Sequence, residues 1–124
     1  MSQFEVHAKL KVRQGKLEGF RRQAAEMMRV TRERDTGTLA YDWFLSADGT
    51  ACEVHEAYVD ADALVDHAFH VREARDALFA EFAYDHQMAF YGEPSPQLAE
   101  LVKRIGVNAT VFTLMQALEP AGVS

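Results

Sequence analysis

The sequence predicts an α+β fold in which one antiparallel sheet carries helices on one face. Residues 4–12, FEVHAKLKV, alternate apolar and polar side chains, which is the pattern of a strand with one dry face. Residues 16–34 place apolar side chains three and four apart, which is typical of a helix packed on a core. Together with the order of the later segments, these two patterns indicate a ferredoxin-like, split βαβ arrangement.

A hairpin is expected in the middle of the chain. Residues 38–46 and 51–59 are both predicted strands, and Asp48-Gly49 between them is a strong turn signal. Each of these strands carries large or apolar side chains on both faces. Because large aromatic side chains are costly to leave in water, we expect a second copy of the chain to cover the outer face. The gap between sheet and cover would then form a pocket.

A second helix is expected after the hairpin, with Asp60 as a good N-cap. Arg75 falls in the same stripe as the apolar side chains of this helix. A buried unpaired arginine would be costly, so either the helix breaks near residues 69–73 or Arg75 reaches into a polar pocket. A short strand is predicted next, over about residues 86–92.

The last part of the chain, residues 93–119, is predicted to be a C-terminal extension made of a helix and a strand. Ser95 is a suitable N-cap, Pro96 suits the first helical position, and Gly106 ends the helix. The strand is predicted over residues 108–119. We expect the extension either to pad the sheet or to embrace a partner subunit.

The composition is that of an ordinary globular domain. The 124 residues are 48% hydrophobic and 26% charged, enough for a real core, and no linker or repeat divides them. One domain is therefore expected over residues 1–124, with its core at about 3–92. The net charge of −6 argues against nucleic acid and anionic membranes as partners. No apolar stretch reaches the length of a membrane span and no signal-peptide order is present, so a cytoplasmic location is expected.

Metal and thiol chemistry find little support in the sequence. Cys52 is the single cysteine, which excludes an internal disulfide, and its mid-strand position favours a packed thiol over a nucleophile. His67 and His70 as a metal pair would need a third ligand, and no tight ligand motif supplies one. We therefore expect no metal.

A resemblance to a known family lies in residues 37–67, GTLAYDWFLSADGTACEVHEAYVDADALVDH. This stretch resembles the antibiotic biosynthesis monooxygenase domain of the dimeric α+β barrel superfamily. The positions that match the family pattern are Gly37, Tyr41, Glu56, Ala63, Leu64 and His67, with Tyr58 in place of a tryptophan. The similarity covers roughly residues 3–92, and the family's frequent second histidine falls at Arg72.

The resemblance implies a dimeric α+β barrel and an activity. Members with known activity oxygenate electron-rich aromatic compounds such as quinols and anthrones, often with no metal, flavin or haem. Haem-degrading relatives place an asparagine and a tryptophan at about the positions of Ala8 and His67, which argues against haem here. We expect a homodimeric, cofactor-independent monooxygenase acting on an aromatic molecule and O2. The alternative is a non-catalytic ligand-binding or stress-response module on the same fold.

The candidate site centres on His67 and Glu56, the expected catalytic residues. His67 lies at the edge of its helix's buried face, as a base or as a core-edge histidine capped by a carbonyl or by Glu56. Glu56 would stand behind His67 or make a purely structural pair. His70 is expected to face water. The residues expected to bind substrate are Tyr41, Trp43, Tyr58, Arg72, Arg75 and His86, of which Tyr41 and Trp43 have core packing as their alternative.

Overall fold

The structure is a computed structural model that describes residues 3–106 and 108–118. Within those ranges the elements are β1 (Phe4–Val12), α1 (Leu17–Arg34), β2 (Thr38–Leu45), β3 (Ala51–Tyr58), α2 (Ala61–His70), α3 (Arg72–Glu81), β4 (Ala83–Tyr91), α4 (Pro96–Ile105) and β5 (Asn108–Phe112). None of the helices in these ranges is both long and apolar enough to cross a membrane.

The predicted order of elements is confirmed, and three boundaries differ. The second helix is two helices, α2 and α3, that meet at Val71, inside the predicted window for a break. β4 begins at Ala83 because the end of β1 pairs with it there. β5 ends at Phe112, where its pairing with Tyr91 at the end of β4 is exhausted. Residues 113–118 form no strand, and the last predicted strand residue lies outside the described ranges.

The strand order of the sheet is β2-β3-β1-β4-β5. Its first four strands are antiparallel neighbours in the order of the split βαβ fold, so the predicted ferredoxin-like class is confirmed. β5 runs parallel to β4, and α4 provides the crossover that a parallel pair requires. The extension therefore pads the sheet, which was one of its two predicted roles.

One face of the sheet is covered by helices and carries the core. Along β1 every second side chain, from Phe4 to Val12, is buried. These side chains pack against residues of the helices such as Phe20, Leu64 and Leu78. Full burial of a Val, Leu or Phe side chain stabilises the fold by roughly 1.5–3 kcal/mol, because its apolar surface is removed from water. We call this side of the sheet the covered face.

The other side, the open face, carries a row of rings that crosses all five strands. The ring centroids lie 4.7 Å apart for Phe44 and His55, 4.0 Å for His55 and His7, 5.0 Å for His7 and Tyr91, and 5.4 Å for Tyr91 and Phe112. The two ends of the row, Phe44 and Phe112, are about half exposed. A continuous row of rings that is exposed to water is uncommon on the surface of a monomeric protein.

Gly37 brings the end of α1 close to the start of α2. A Cβ atom at this position would lie 2.7 Å from the Cβ of Ala63 and 3.1 Å from Cγ2 of Val59, so a larger residue does not fit without a shift. The backbone N–H of Val59 donates to the Gly37 carbonyl at 2.9 Å. Asp35, two residues before this contact, is thereby held beside α2.

Candidate functional site

A small cavity lies between the covered face and the helices. Its volume is about 70 Å³, and most of its lining is apolar. Besides Phe79 and Phe90, the polar and aromatic side chains on its wall are Tyr41, Trp43, Glu56, His67, Arg75 and His86. These are six of the eight residues that the sequence proposed for the site. The structure therefore brings most of the candidates together around one cavity.

His67 and His70 share one carboxylate, that of Asp35. The Nδ1 atom of His67 lies 2.7 Å from Oδ2 of Asp35, and Nδ1 of His70 lies 2.7 Å from Oδ1. The hydroxyl of Thr38 also donates to Oδ2, at 2.6 Å. The side chains of Asp35 and His67 are only 4% and 5% exposed, while His70 is 22% exposed. The expectation that His70 faces water is therefore wrong, because its ring turns inward to Asp35.

The Asp35 carboxyl group is ionised at neutral pH. Burial alone would raise its pKa, but the hydrogen bonds from His67, Thr38 and His70 outweigh burial and lower the pKa to about 2. An ionised carboxylate only accepts hydrogen bonds, so Nδ1 of each histidine must be the protonated nitrogen. In its neutral form His67 then has Nε2 as its free acceptor. A histidine oriented in this way, with its ring on a cavity wall, can remove a proton from a bound molecule.

Glu56 lines the same cavity. It does not lie behind His67, although the sequence had suggested that position. Its side chain is buried, and the Tyr58 hydroxyl donates a short hydrogen bond to Oε1. Burial raises the pKa of Glu56, against the opposing effects of His67 and Tyr58. Asp35 occupies the supporting position behind His67, and Glu56 forms a second, less acidic carboxyl group on the wall.

The tyrosines and the tryptophan give the cavity an aromatic side. The rings of Tyr41 and His67 meet edge to face at 4.6 Å, and those of Tyr41 and Trp43 at 5.7 Å. Burial raises the pKa of Tyr41 and of Tyr58 well above the usual phenol value, so both are neutral. Among the described residues, the buried indole N–H of Trp43 meets no hydrogen-bond acceptor in good geometry. A buried donor left in this way gains from an acceptor supplied by a ligand.

Arg75 and His86 lie at the far side of the cavity. The ring of His86 stacks on Phe79 at 4.6 Å, and burial together with the Arg75 charge lowers its pKa to about 4. His86 is therefore neutral at physiological pH. The Arg75 side chain is one-fifth exposed, with a 3.5 Å contact to Asp76. The first alternative for Arg75 is confirmed, because the helix breaks before it; its side chain also lines the cavity, but that cavity is mainly apolar and is not the polar pocket of the second alternative.

Two proposed binding residues do not line the cavity. Arg72 begins α3 on its outer side, with its guanidinium 4.8 Å from the ring centre of Phe69, so it points away from the enclosed space. Tyr58 is fully buried and acts only through its bond to Glu56 and its contact with His67. Neither side chain is therefore among those that surround this cavity, and their expected contact with a substrate stays a prediction.

Sequence reasoning missed two parts of the site. Asp35 follows the end of α1, and nothing local in the sequence marks it as the partner of histidines more than thirty residues away. The second part is the wall formed by Leu98, Leu101 and Val102 of α4. Their spacing of three and four shows an apolar helix face, but a spacing pattern cannot show which cavity that face closes.

No group of three or more His, Cys, Asp or Glu side chains within the described ranges is placed to hold a metal ion. His67 and His70 both direct Nδ1 at Asp35, so the three groups satisfy one another by hydrogen bonds. Cys52 is buried, and burial raises the pKa of its thiol to about 11. The packed-thiol interpretation of this residue agrees with both observations.

The fold and the cavity define a class: small α+β proteins whose single sheet carries an enclosed, mainly apolar site beneath its helices. The sequence profile of the family described as antibiotic biosynthesis monooxygenase matches residues 3–79. The chain belongs to this family, as its resemblance had indicated. No protein of curated function matches the sequence.

Solved structures with the same fold are similar over different shares of the chain. MupZ from Pseudomonas fluorescens is 21% identical with a TM-score of 0.79, and the match covers 100% of this chain and 99% of that one. Rv0793 from Mycobacterium tuberculosis is 23% identical with a TM-score of 0.65, over 76% of this chain and 97% of that one. Protein SO0527 from Shewanella oneidensis is 21% identical with a TM-score of 0.64, over 72% and 88%. At these identities the likeness shows the fold alone.

Proposed function

We propose that this chain is an enzyme that removes a proton from a small, mainly apolar molecule, with His67 as the base and Asp35 as its support. The observation that carries the proposal is the 2.7 Å bond between a buried carboxylate and a histidine on a cavity wall. The description of the family, antibiotic biosynthesis monooxygenase, supports an oxygenation. The reaction proposed here is a cofactor-independent oxygenation of an aromatic, quinol-like compound. Deprotonation is the step that makes such a compound electron-rich enough to react with O2.

The pairing of His67 with Asp35 serves two purposes. It fixes the tautomer in which Nε2 accepts a proton, and the negative charge stabilises the imidazolium that forms. The dry surroundings strengthen both effects, since charges interact more strongly away from water. A lone surface histidine would have neither advantage.

The remaining side chains suit the anion that deprotonation produces. Glu56, whose pKa is raised by burial, can carry a proton and donate a hydrogen bond to a developing oxyanion. The Arg75 charge can balance the anion from the other side, and Tyr41 and Trp43 provide flat walls for an aromatic ring. His86, neutral at physiological pH, offers a further polar contact.

The oxygenation is balanced without a cofactor or an outside reductant. The keto tautomer of a hydroxylated aromatic compound, as in an anthrone, carries a ring CH2 group. When this group becomes C=O, one atom of O2 remains in the product and the other leaves as water. The two hydrogens of that water come from the substrate carbon. His67 takes the first of them as a proton and returns it to the reduced oxygen. The protein therefore needs to supply only a base, a dry space and hydrogen bonds.

We also propose that two copies of the chain pair through their open faces. Five strands spaced about 4.8 Å apart and about eight residues long present roughly 630 Å² before the relief of the side chains is added. A standard stable interface takes about 800 Å² from each partner. The open face also mixes charges of both signs, with Lys9 beside Glu53 across paired strands, so a two-fold copy can be complementary. A cytoplasmic location stays a prediction.

A non-catalytic binding module is the second candidate, and the size of the cavity favours it. Small-molecule sites usually enclose about 300–1,000 Å³, well above the volume of about 70 Å³ found here. A protein that only senses a small ligand needs no room for a reacting pair of molecules. The two candidates differ in whether bound ligand is consumed.

The deciding experiment joins a ligand screen to oxygen uptake. Hydroxylated aromatic compounds that raise the melting temperature are identified first, and O2 consumption is then followed with each of them. We expect His67→Ala to lower turnover at least about a hundredfold and Asp35→Asn at least about tenfold. Phe69→Ala is the matched control on α2, since this side chain is 61% exposed and does not line the cavity.

Two results would contradict the enzyme. Turnover that survives in His67→Ala would remove the proposed base. Binding without any oxygen uptake or product would support the binding module instead. Product formed equally well without O2 would keep His67 as a base but replace oxygenation by another proton-transfer reaction.

A further inference from the structure

We propose that α4 is the wall that sets the size of ligand the cavity admits, with Leu98, Leu101 and Val102 as the specificity-determining side chains. The inference rests on the proposed function only in taking the cavity as the ligand site. All three residues line the cavity, although they lie in the C-terminal extension, beyond the family match to residues 3–79. The family core therefore supplies the polar groups, and the extension supplies this part of the enclosure.

The position of α4 is well defined by its ends. The Ser95 hydroxyl oxygen accepts a hydrogen bond from the Leu98 N–H at 3.2 Å, and Pro96 begins the helix. Gly106 ends it in the left-handed conformation, with φ 64° and ψ 23°. These signals fix where the helix begins and ends, and the burial of Leu98 shows that its apolar side faces the sheet. Leu98 is 1% exposed and packs in one cluster with Phe4 and Phe90.

The other walls of the cavity are tied into the fold more firmly than α4. Most of the floor belongs to β1, β3 and β4, each of which is paired with a strand on both sides, and Tyr41 and Trp43 add the edge strand β2. The His67 wall is fixed through Asp35, which also bonds Thr38 at the start of β2. By contrast, α4 packs against α2 and is followed by β5, the edge strand of the sheet. It is the wall that can change without disturbing the polar groups.

The volume of the cavity makes this wall decisive. A cavity of about 150 Å³ is known to accept a benzene ring, and the space here is about 70 Å³. A single ring can therefore enter only when the wall yields slightly, and fused rings need a larger displacement. A shorter side chain on α4 should reduce the displacement of the wall that a ring needs in order to enter. A larger side chain should increase it.

The test compares three probes of increasing size, phenol, 1-naphthol and 1-anthrol, by calorimetric titration of the full chain. Leu101→Ala and Val102→Ala change half-buried positions, and Leu98→Val is a mild change at the fully buried one. We expect these variants to gain at least about tenfold in affinity for 1-naphthol relative to phenol. Val102→Phe should weaken the binding of all three probes. Leu114→Ala is the control in the same extension, at a side chain that is 79% exposed.

Two results would contradict the proposal that α4 sets the size of ligand that the cavity admits. One is a size ranking that stays the same in every α4 variant, and the other is binding of no probe to any of the proteins. Chemical-shift changes at Trp43 and His67 must accompany binding, since they show that the probe is inside the cavity. His67→Ala is measured for turnover alone, because removal of this lining side chain also enlarges the cavity. The effect of His67→Ala on turnover therefore tests the proposed function. The size ranking in the α4 variants tests the proposal that α4 sets the size of ligand that the cavity admits.

Discussion

Alternate side chains of the same strands lie on the two faces of the sheet, and the two faces provide different environments. On β3, Val54, Glu56 and Tyr58 are buried beneath the helices, whereas Glu53 and His55 lie on the open face. The covered face holds titratable groups away from water, where burial shifts the pKa of Glu56 upward. The open face holds similar groups in contact with water. The period of two along a strand is what allows one chain to build both.

Two histidines show what this difference means for chemistry. His67, 5% exposed, makes a 2.7 Å bond to Asp35, and that carboxyl group keeps a pKa of about 2. His55, 42% exposed, has Glu53 at 3.6 Å across solvent. Exposed ion pairs of that kind contribute little, because water and salt screen them. The same residue types thus make a defined site on one face and a weak pair on the other.

The largest effect is expected from the core of the covered face. Leu78→Ala removes a side chain that is 1% exposed, and it should lower the free energy of unfolding by about 3 kcal/mol. Leu114→Ala, at an exposed position, should change it by less than about 0.5 kcal/mol. Urea denaturation followed by circular dichroism measures both. Equal losses in the two variants would mean that the covered face does not hold the main core.

A charge introduced on the open face should weaken the proposed dimer. His7→Glu places a charge in the middle of the ring row, and we expect it to weaken the dimer at least about a hundredfold, or about 2.7 kcal/mol. Ala80→Glu introduces the same charge at an exposed position on α3 and should leave the dimer intact. Sedimentation velocity over a range of concentrations measures the change. A wild-type chain that stays monomeric at high concentration would refute pairing through this face.

Acid should act through Asp35. Its pKa in the folded chain is about 2, below the ordinary value of 3.8, so its contribution is present above about pH 4 and is lost as the pH falls toward 2. That contribution is up to about 2 kcal/mol. Asp35→Asn should remove this part of the acid dependence, whereas Asp62→Asn, at an exposed position, should keep it. Unfolding measured between pH 2 and pH 6 gives the comparison, and identical curves for wild type and Asp35→Asn would contradict the shared carboxylate.

The smallest effect is expected at Glu56, with the opposite sign. Its folded pKa lies above the ordinary 4.5, so the stability linked to this group is present at low pH and is lost as the pH rises. Glu56→Gln should therefore stabilise the chain at pH 8, by less than about 1 kcal/mol, and change little at pH 4. Glu53→Gln on the open side of the same strand is the control. A loss of stability at pH 8 would show instead that ionised Glu56 is needed as a partner of His67.

The sequence by itself determined the elements, their order and the family. Alternation in β1, the signals at Asp60 and Ser95, and the glycine that ends α4 are local properties, and the structure keeps them. It also placed His67 on the buried edge of its helix, because helical periodicity depends only on spacing. The break before Arg75 was anticipated for the same kind of reason, since a charged residue in an apolar stripe needs a way out.

Only the tertiary structure decided which side chains meet. Asp35 reaches His67 and His70 because Gly37 lets α2 approach the end of α1, and no spacing along the chain encodes that approach. The same holds for Arg72, which turns outward, and for α4, which closes a cavity whose polar groups come from other elements. Local patterns fix the face of each element, but contacts between elements depend on register and packing, which only the complete fold establishes.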